Sequence, residues 1–162
     1  MKPDNTLRTF ALRDGDSPSG AVNSALRAGI LCQRDGETAT VTLFNPDKLN
    51  ALNASMWRQL REVMGELAAD DVVRCIVVRG EGAAFAAGGD LEEFRTARAD
   101  VDKALAYHEA VGEALAAIES CPQPTVAAIL GPCVGGGLEI ACACDLRIAG
   151  ETARFGAPIM KL

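Results

Sequence analysis

Hydrophobic and polar positions change period several times along the chain, and each change marks an element. Two β-rich runs, GILCQRD and ETATVTLF, meet around Arg34-Asp35-Gly36. Asp-Gly is a strong turn pair, so residues 29–44 are expected to form a β-hairpin. NPDKLNALN reads as a turn. Apolar residues then recur at Met56, Leu60, Val63, Met64 and Leu67, the spacing of one buried helix face. Asn53 or Ser55 would cap that helix, which runs through MWRQLREVMGELAA. VVRCIVVRG is a short apolar run ending in Gly80, the pattern of a strand buried on both faces of a parallel sheet. GEGAAFAAGGD is a small-residue loop followed by a polar helical piece, LEEFRTARA. Residues 100–119 form a second amphipathic helix, with Asp100 as N-cap, and Pro122 and Pro124 prevent its continuation. PTVAAILG is another buried strand, GGGLEIACAC another helix and DLRIAG a short strand. Helices alternating with apolar strands define an α/β fold with crossover connections.

The first 27 residues carry no sustained period and are rich in Asp, Ser, Pro and Gly. They are expected to be a flexible lead-in, residues 1–27, to a core domain over residues 28–162. At 162 residues, 49% hydrophobic and 23% charged, the chain suits one soluble globular domain. A net charge of -6 argues against a nucleic-acid partner, because phosphate binding needs a basic surface. The six cysteines sit mostly among Val, Ile and Ala, as reduced, packed thiols do. Cys142-x-Cys144 lacks zinc-site spacing, and a single His, His108, argues against a metal centre. No apolar run reaches the ~18–20 residues of a membrane span, and the N-terminus lacks a signal-type apolar region, so a cytoplasmic protein is expected.

The candidate chemistry lies in GPCVGGGLEIACACD, residues 131–145. The first N–H groups of a helix have no intrahelical partner, and the helix dipole makes that end positive. Gly135-Gly136-Gly137, after the strand PTVAAILG, would open that backbone to an anion or oxyanion. Glu139 follows Gly136 by three residues, about one turn on the same face, and in apolar surroundings would serve as a general acid or base. Gly88-Gly89-Asp90 repeats the arrangement after the preceding strand, so two strand ends could converge on one oxygen. Each feature has a plainer reading. Glycines at such a junction also serve tight packing, Asp90 also caps a helix, and His108 also suits a surface. Cys142 and Cys144 read as packing residues. Neither glycine run carries the P-loop Lys-Ser/Thr or the GxGxxG fingerprint.

Taken in order, VTLFNPDKLNALN, VRCIVVRGEGAAFAAGGDLEEF, PTVAAILGPCVGGGLEIACACDLRIAG and TARFGAPI resemble the crotonase (enoyl-CoA hydratase/isomerase) superfamily over residues 29–160. The resemblance implies a crotonase-like ββα spiral core without the family's C-terminal helical region, and so a C-terminally truncated chain with exposed apolar surface. It implies an acyl-CoA substrate, with coenzyme A entering as part of that substrate and no separate cofactor. The thioester carbonyl would lie between the N–H groups of Gly89 and Gly136. Lys48, Ala51, Leu52, Ala86, Ala87 and Asp90 would border the coenzyme A, and the chain would assemble as a trimer or hexamer.

Glu139 matches the first of the two hydratase glutamates, whereas Ile159 stands where the second would be. One carboxylate suffices for a proton shuttle between C2 and C4, as in isomerisation, and hydratase-like chemistry with another residue at that position is the alternative. The competing reading is a catalytically inactive acyl-CoA-binding or assembly module. A weaker one is an unrelated α/β phosphate binder.

Overall fold

The computed structural model describes residues 7–9, 28–93 and 100–157. The hairpin forms as expected. β2 (Gly29–Asp35) and β3 (Thr38–Phe44) pair antiparallel, with Asp35 opposite Thr38 across the turn. Leu7–Thr9, inside the segment expected to be a loose lead-in, is a short strand (β1) paired antiparallel with β2. β4 (Cys75–Gly80), β5 (Thr125–Ile129) and β7 (Leu146–Ala149) continue the sheet in parallel, giving the order β1-β2-β3-β4-β5-β7.

α1 (Ala54–Ala68) connects β3 to β4, and α2 (Val101–Glu119) lies between β4 and β5. The Asn53 side chain, not Ser55, caps α1 by accepting a hydrogen bond from the Met56 N–H at 2.8 Å. Asp100 caps α2 in the same way, accepting from the Lys103 N–H at 2.9 Å. The inward face of α1 holds all five expected residues and also Trp57, which is 1% exposed. Each such side chain contributes ~1.5–3 kcal/mol by leaving water. The exposed faces of both helices carry a glycine, Gly65 and Gly112, with open space where a Cβ would sit. Gly65→Ala and Gly112→Ala are each expected to stabilise the fold by ~0.5–1 kcal/mol, read as a rise in denaturant midpoint at constant slope.

Two expected features are corrected. β4 and β5 were expected to be buried on both faces, but their burial alternates. Ile76, Val78, Ala127 and Ile129 are buried against the helices, while Val77, Val126 and Ala128 are half-buried on the other face. Their apolar side chains on both faces hid that alternation in the sequence. Cys142 was expected to be packed like Cys144 but is exposed on the outer side of its helix. Cys144 is buried, and burial pushes its thiol up to about 11. No disulfide joins any of the six cysteines, all of which lie among the described residues.

A second, smaller layer was not legible in the pattern. β6 (Pro132–Val134) pairs in parallel with β8 (Arg154–Gly156). α3 (Gly136–Ala143) then links β6 to β7. Two single bridges extend the layer, joining Ala86 to Cys133 and Leu52 to Gly89. The chain therefore winds as a spiral. Each of the first three turns lays one strand in the large sheet and one short piece in the small layer before a helix carries the chain back, and β7 is followed by a fourth such piece. The short pieces are 49–52, 86–90, 132–134 and 154–156. Apolar side chains stand exposed on the last two strands, with Leu146 at 59%, Ile148 at 66% and Phe155 at 54%.

Candidate functional site

The small layer brings the sequence-predicted residues together. Leu52 is the hinge between the first two pieces. Its N–H donates to the Gly88 carbonyl at 2.7 Å, and its carbonyl accepts from the Asp90 N–H at 2.8 Å. In a parallel bridge both bonds come from the residues flanking the bridged one, so Gly89 turns its own N–H away from Leu52. Ala87 donates to the Leu49 carbonyl at 3.0 Å, and Ala86 exchanges bonds with Pro132 and Val134. Ala51 is 8% exposed, and Leu52 and Ala86 are fully buried.

The glycine run follows directly. Gly135 caps α3 with φ at 51°, a left-handed conformation that suits glycine, and its N–H donates to the Gly156 carbonyl at 2.9 Å. A Cβ on Gly136 would stand 2.8 Å from Trp57 Cζ2 and 3.2 Å from Leu52 Cδ1. On Gly137 it would stand 2.8 Å from both the Cβ and the carbonyl oxygen of Ala86. A Cβ on Gly135 would lie 3.6 Å from Gly88 Cα. The two glycine loops thus abut, most closely where a Cβ on Gly137 would strike the Ala86 backbone. Among the described residues, neither the Gly89 nor the Gly136 N–H has a hydrogen-bond partner. Gly136 opens the helix, where an unpaired N–H at the positive end is the rule.

Glu139 lies on the first turn of α3, but its surroundings differ from the expected apolar ones. It is exposed, because α3 turns Gly137, Ile140 and Ala141 inward and leaves Glu139 and Cys142 outside. Ile159 lies outside the described residues.

Lys48 and Asp90 meet across the same junction. The Lys48 ammonium donates to both Asp90 oxygens, at 3.1 and 2.8 Å, and to Glu92 Oε2 at 2.7 Å. Burial alone would raise the Asp90 carboxyl. The Lys48 hydrogen bond and the N–H groups of Glu92 and Glu93 outweigh it and hold it below the usual carboxylate value. Lys48 is correspondingly raised, first by its bond to Asp90 and then by that to Glu92. A carboxyl lowered on folding contributes stability above its unfolded pKa of about 4, and that contribution is lost as pH falls through the folded value. Acid titration of stability is therefore expected to show a loss from about pH 4 downward that is reduced in Asp90→Asn. Asp100, held low first by Lys103, and Asp145, held low first by the Thr125 N–H, keep part of the slope in that variant.

Two residues that the sequence reading missed organise this junction. Asn45 and Asn50 are 4% and 0% exposed and bind one another and the neighbouring loops. Two asparagines five apart in an apolar context were the available signal. Among the described residues no cluster of His, Cys, Asp and Glu could hold a metal ion, and no helix is long and apolar enough to cross a membrane. His108 is exposed on α2.

A spiral of ββα turns whose short pieces carry two abutting glycine loops defines the crotonase type of fold. Residues 33–162 match the family model for enoyl-CoA hydratase/isomerase, and the chain belongs to that family. It is 39% identical over 128 residues to a probable enoyl-CoA hydratase of Bacillus subtilis, covering 79% of this chain and 49% of that one. It is 45% identical over 123 residues to 4-chlorobenzoyl coenzyme A dehalogenase-2 of an Arthrobacter species, covering 72% and 43%. Among solved structures, an enoyl-CoA hydratase/carnithine racemase from Magnetospirillum magneticum superposes with a TM-score of 0.78 at 50% identity, over 80% of this chain and 49% of that one. The chain spans about half the length of these relatives.

Proposed function

We propose that the chain binds an acyl-CoA thioester with its carbonyl oxygen between the Gly89 and Gly136 N–H groups, and that Glu139 moves the proton in the reaction that follows. One observation carries this reading: two unpaired backbone donors sit on loops in direct contact, with a carboxylate one turn further along the second. Donors fixed before the reaction stabilise the charge that develops on the oxygen as the thioester becomes an enolate, each by ~3 kcal/mol. The relatives named above share a coenzyme A thioester in their names, whatever else differs between them. That common element is what such a pair of donors would grip.

With one carboxylate, the chemistry available is a proton shuttle. Glu139 takes a proton from C2 of a 3-enoyl thioester, the negative charge spreads to the carbonyl oxygen, and the same proton returns at C4 to give the 2-enoyl product. Hydration would need a second group to activate water, and Ile159 cannot do so. Ala51, Leu52, Ala86 and Ala87 would border the coenzyme A. Lys48 would stand at the same edge, its ammonium shared with Asp90 and Glu92. We place the protein in the cytoplasm as a trimer or hexamer.

The test is turnover of 2-enoyl- and 3-enoyl-CoA by the purified chain, alongside calorimetry with a saturated acyl-CoA. Conversion of the 3-enoyl substrate is the expected result. Binding without turnover would instead support the inactive acyl-CoA-binding module, and absence of both would overturn the reading.

A further inference from the structure

We propose that Asn50 is a positioning residue whose side-chain amide aims the Gly89 N–H, an inference that rests on the acyl-CoA reading above. Asn50 is fully buried and holds a left-handed backbone, φ 59°, directly after Leu49 at φ 50°. Two such residues in succession are rare outside glycine, and they persist only where the surroundings over-determine them. The surroundings here are a set of hydrogen bonds. Asn50 Oδ1 accepts from the Asn45 N–H at 3.0 Å. Its Nδ2 donates to the carbonyls of Glu81 and Ala84, at 2.9 and 2.8 Å. Its own N–H donates to the Asn45 carbonyl at 2.8 Å, and Asn45 Nδ2 donates to the Ala51 carbonyl at 2.8 Å.

The consequence lies two residues on. The turn that Asn50 closes delivers Leu52, and Leu52 holds Gly88 and Asp90 on either side of Gly89. The same turn grips the 81–90 loop three times, at Glu81 and Ala84 through the Asn50 amide, at Ala87 through the Leu49 carbonyl, and at Gly88 and Asp90 through Leu52. Held through both of its chain neighbours, Gly89 has little freedom left in the direction of its N–H. Asn50 is fully buried and, among the described residues, its side chain bonds only backbone groups, so it would act through the backbone alone. Aspartate keeps the acceptor for Asn45 but sets an anionic oxygen against the Glu81 and Ala84 carbonyls. Glycine keeps the left-handed backbone without strain but loses all three side-chain bonds.

The test compares two ligands that differ only at the carbonyl, butyryl-CoA and its thioether analogue S-butyl-CoA, by calorimetry. The unaltered chain is expected to prefer butyryl-CoA by about tenfold, the worth of a hydrogen bond into a prearranged site. In Asn50→Asp and Asn50→Gly that preference is expected to fall toward one, with kcat lowered and KM little changed. Partial unfolding lowers both apparent affinities by the same factor and cancels in the ratio, so a merely structural role would leave the preference intact. If Asn50→Asp does not fold, Asn50→Gly decides. A tenfold preference retained in the folded Asn50 variant would overturn the positioning role while leaving the acyl-CoA reading in place. No preference in the unaltered chain would overturn both.

Discussion

Glu139→Gln is expected to abolish most enoyl-CoA turnover, by ~10²–10⁴-fold, while leaving the fold almost as stable as before. The side chain is exposed, and among the described residues it has no hydrogen-bond partner to lose. Its only identifiable contribution to folding is that of an acid in the first turn of α3, where the helix end is positive. Losing that charge costs ~0.3–1 kcal/mol. The inward positions of the helix, Gly137, Ile140 and Ala141, are untouched. Thermal unfolding measured beside turnover separates the two effects. Turnover that survives in a folded Glu139→Gln chain would remove Glu139 from the reaction. A large drop in melting temperature would show that its role is in the fold.

Gly137→Ala is expected to do the opposite, lowering stability and turnover together. The added Cβ would lie 2.8 Å from the Ala86 carbonyl oxygen, a backbone atom held in place by its bond from the Val134 N–H at 3.0 Å. That oxygen cannot swing aside as the end of a side chain can, so the start of α3 must move away from the 86–90 loop. Overpacking of this kind costs ~1–3 kcal/mol. The movement also separates the Gly136 N–H from the Gly89 N–H. Loss of one aligned donor typically lowers kcat by ~10²–10³-fold. Denaturant unfolding and kcat on the same preparation check both. Gly65→Ala is the control, since the same substitution in open space on α1 should stabilise the chain.

The sequence made the large sheet from β2 onward, and its helices, readable because their signals are local. Asp-Gly turns the hairpin, Asn53 and Asp100 cap helices, and apolar residues at helical spacing mark α1. Trp57 belongs to the same face, three residues before Leu60 and seven before Met64, and could have been found by extending that count. The small layer was not readable. β6 and β8 are three residues each, too short for any period, and they exist because residues far apart in the chain complete their hydrogen bonds. The same limit applies to Asn45 and Asn50, whose partners at Glu81 and Ala84 no local pattern announces. Among the expected site residues, Lys48, Ala51, Leu52, Ala86, Ala87, Gly89, Asp90 and Gly136 come together along the small layer. Glu139 reaches the same helix end from a wetter position than its apolar neighbours in the chain suggested.

The spiral also divides labour within each turn. The strands and helices bury most of the side chains that hold the fold, whereas the short pieces add a few, Leu52, Ala86 and Cys133 among them, and otherwise bond one another through their backbones. Lengthening a connector on the far side, such as the one between α1 and β4, moves no member of the small layer. Deleting one residue from 86–90 would invert which of its N–H groups face Leu52 and which face outward. Change along the edge that carries the small layer therefore disturbs the paired backbone of the site, an asymmetry set by winding rather than by composition.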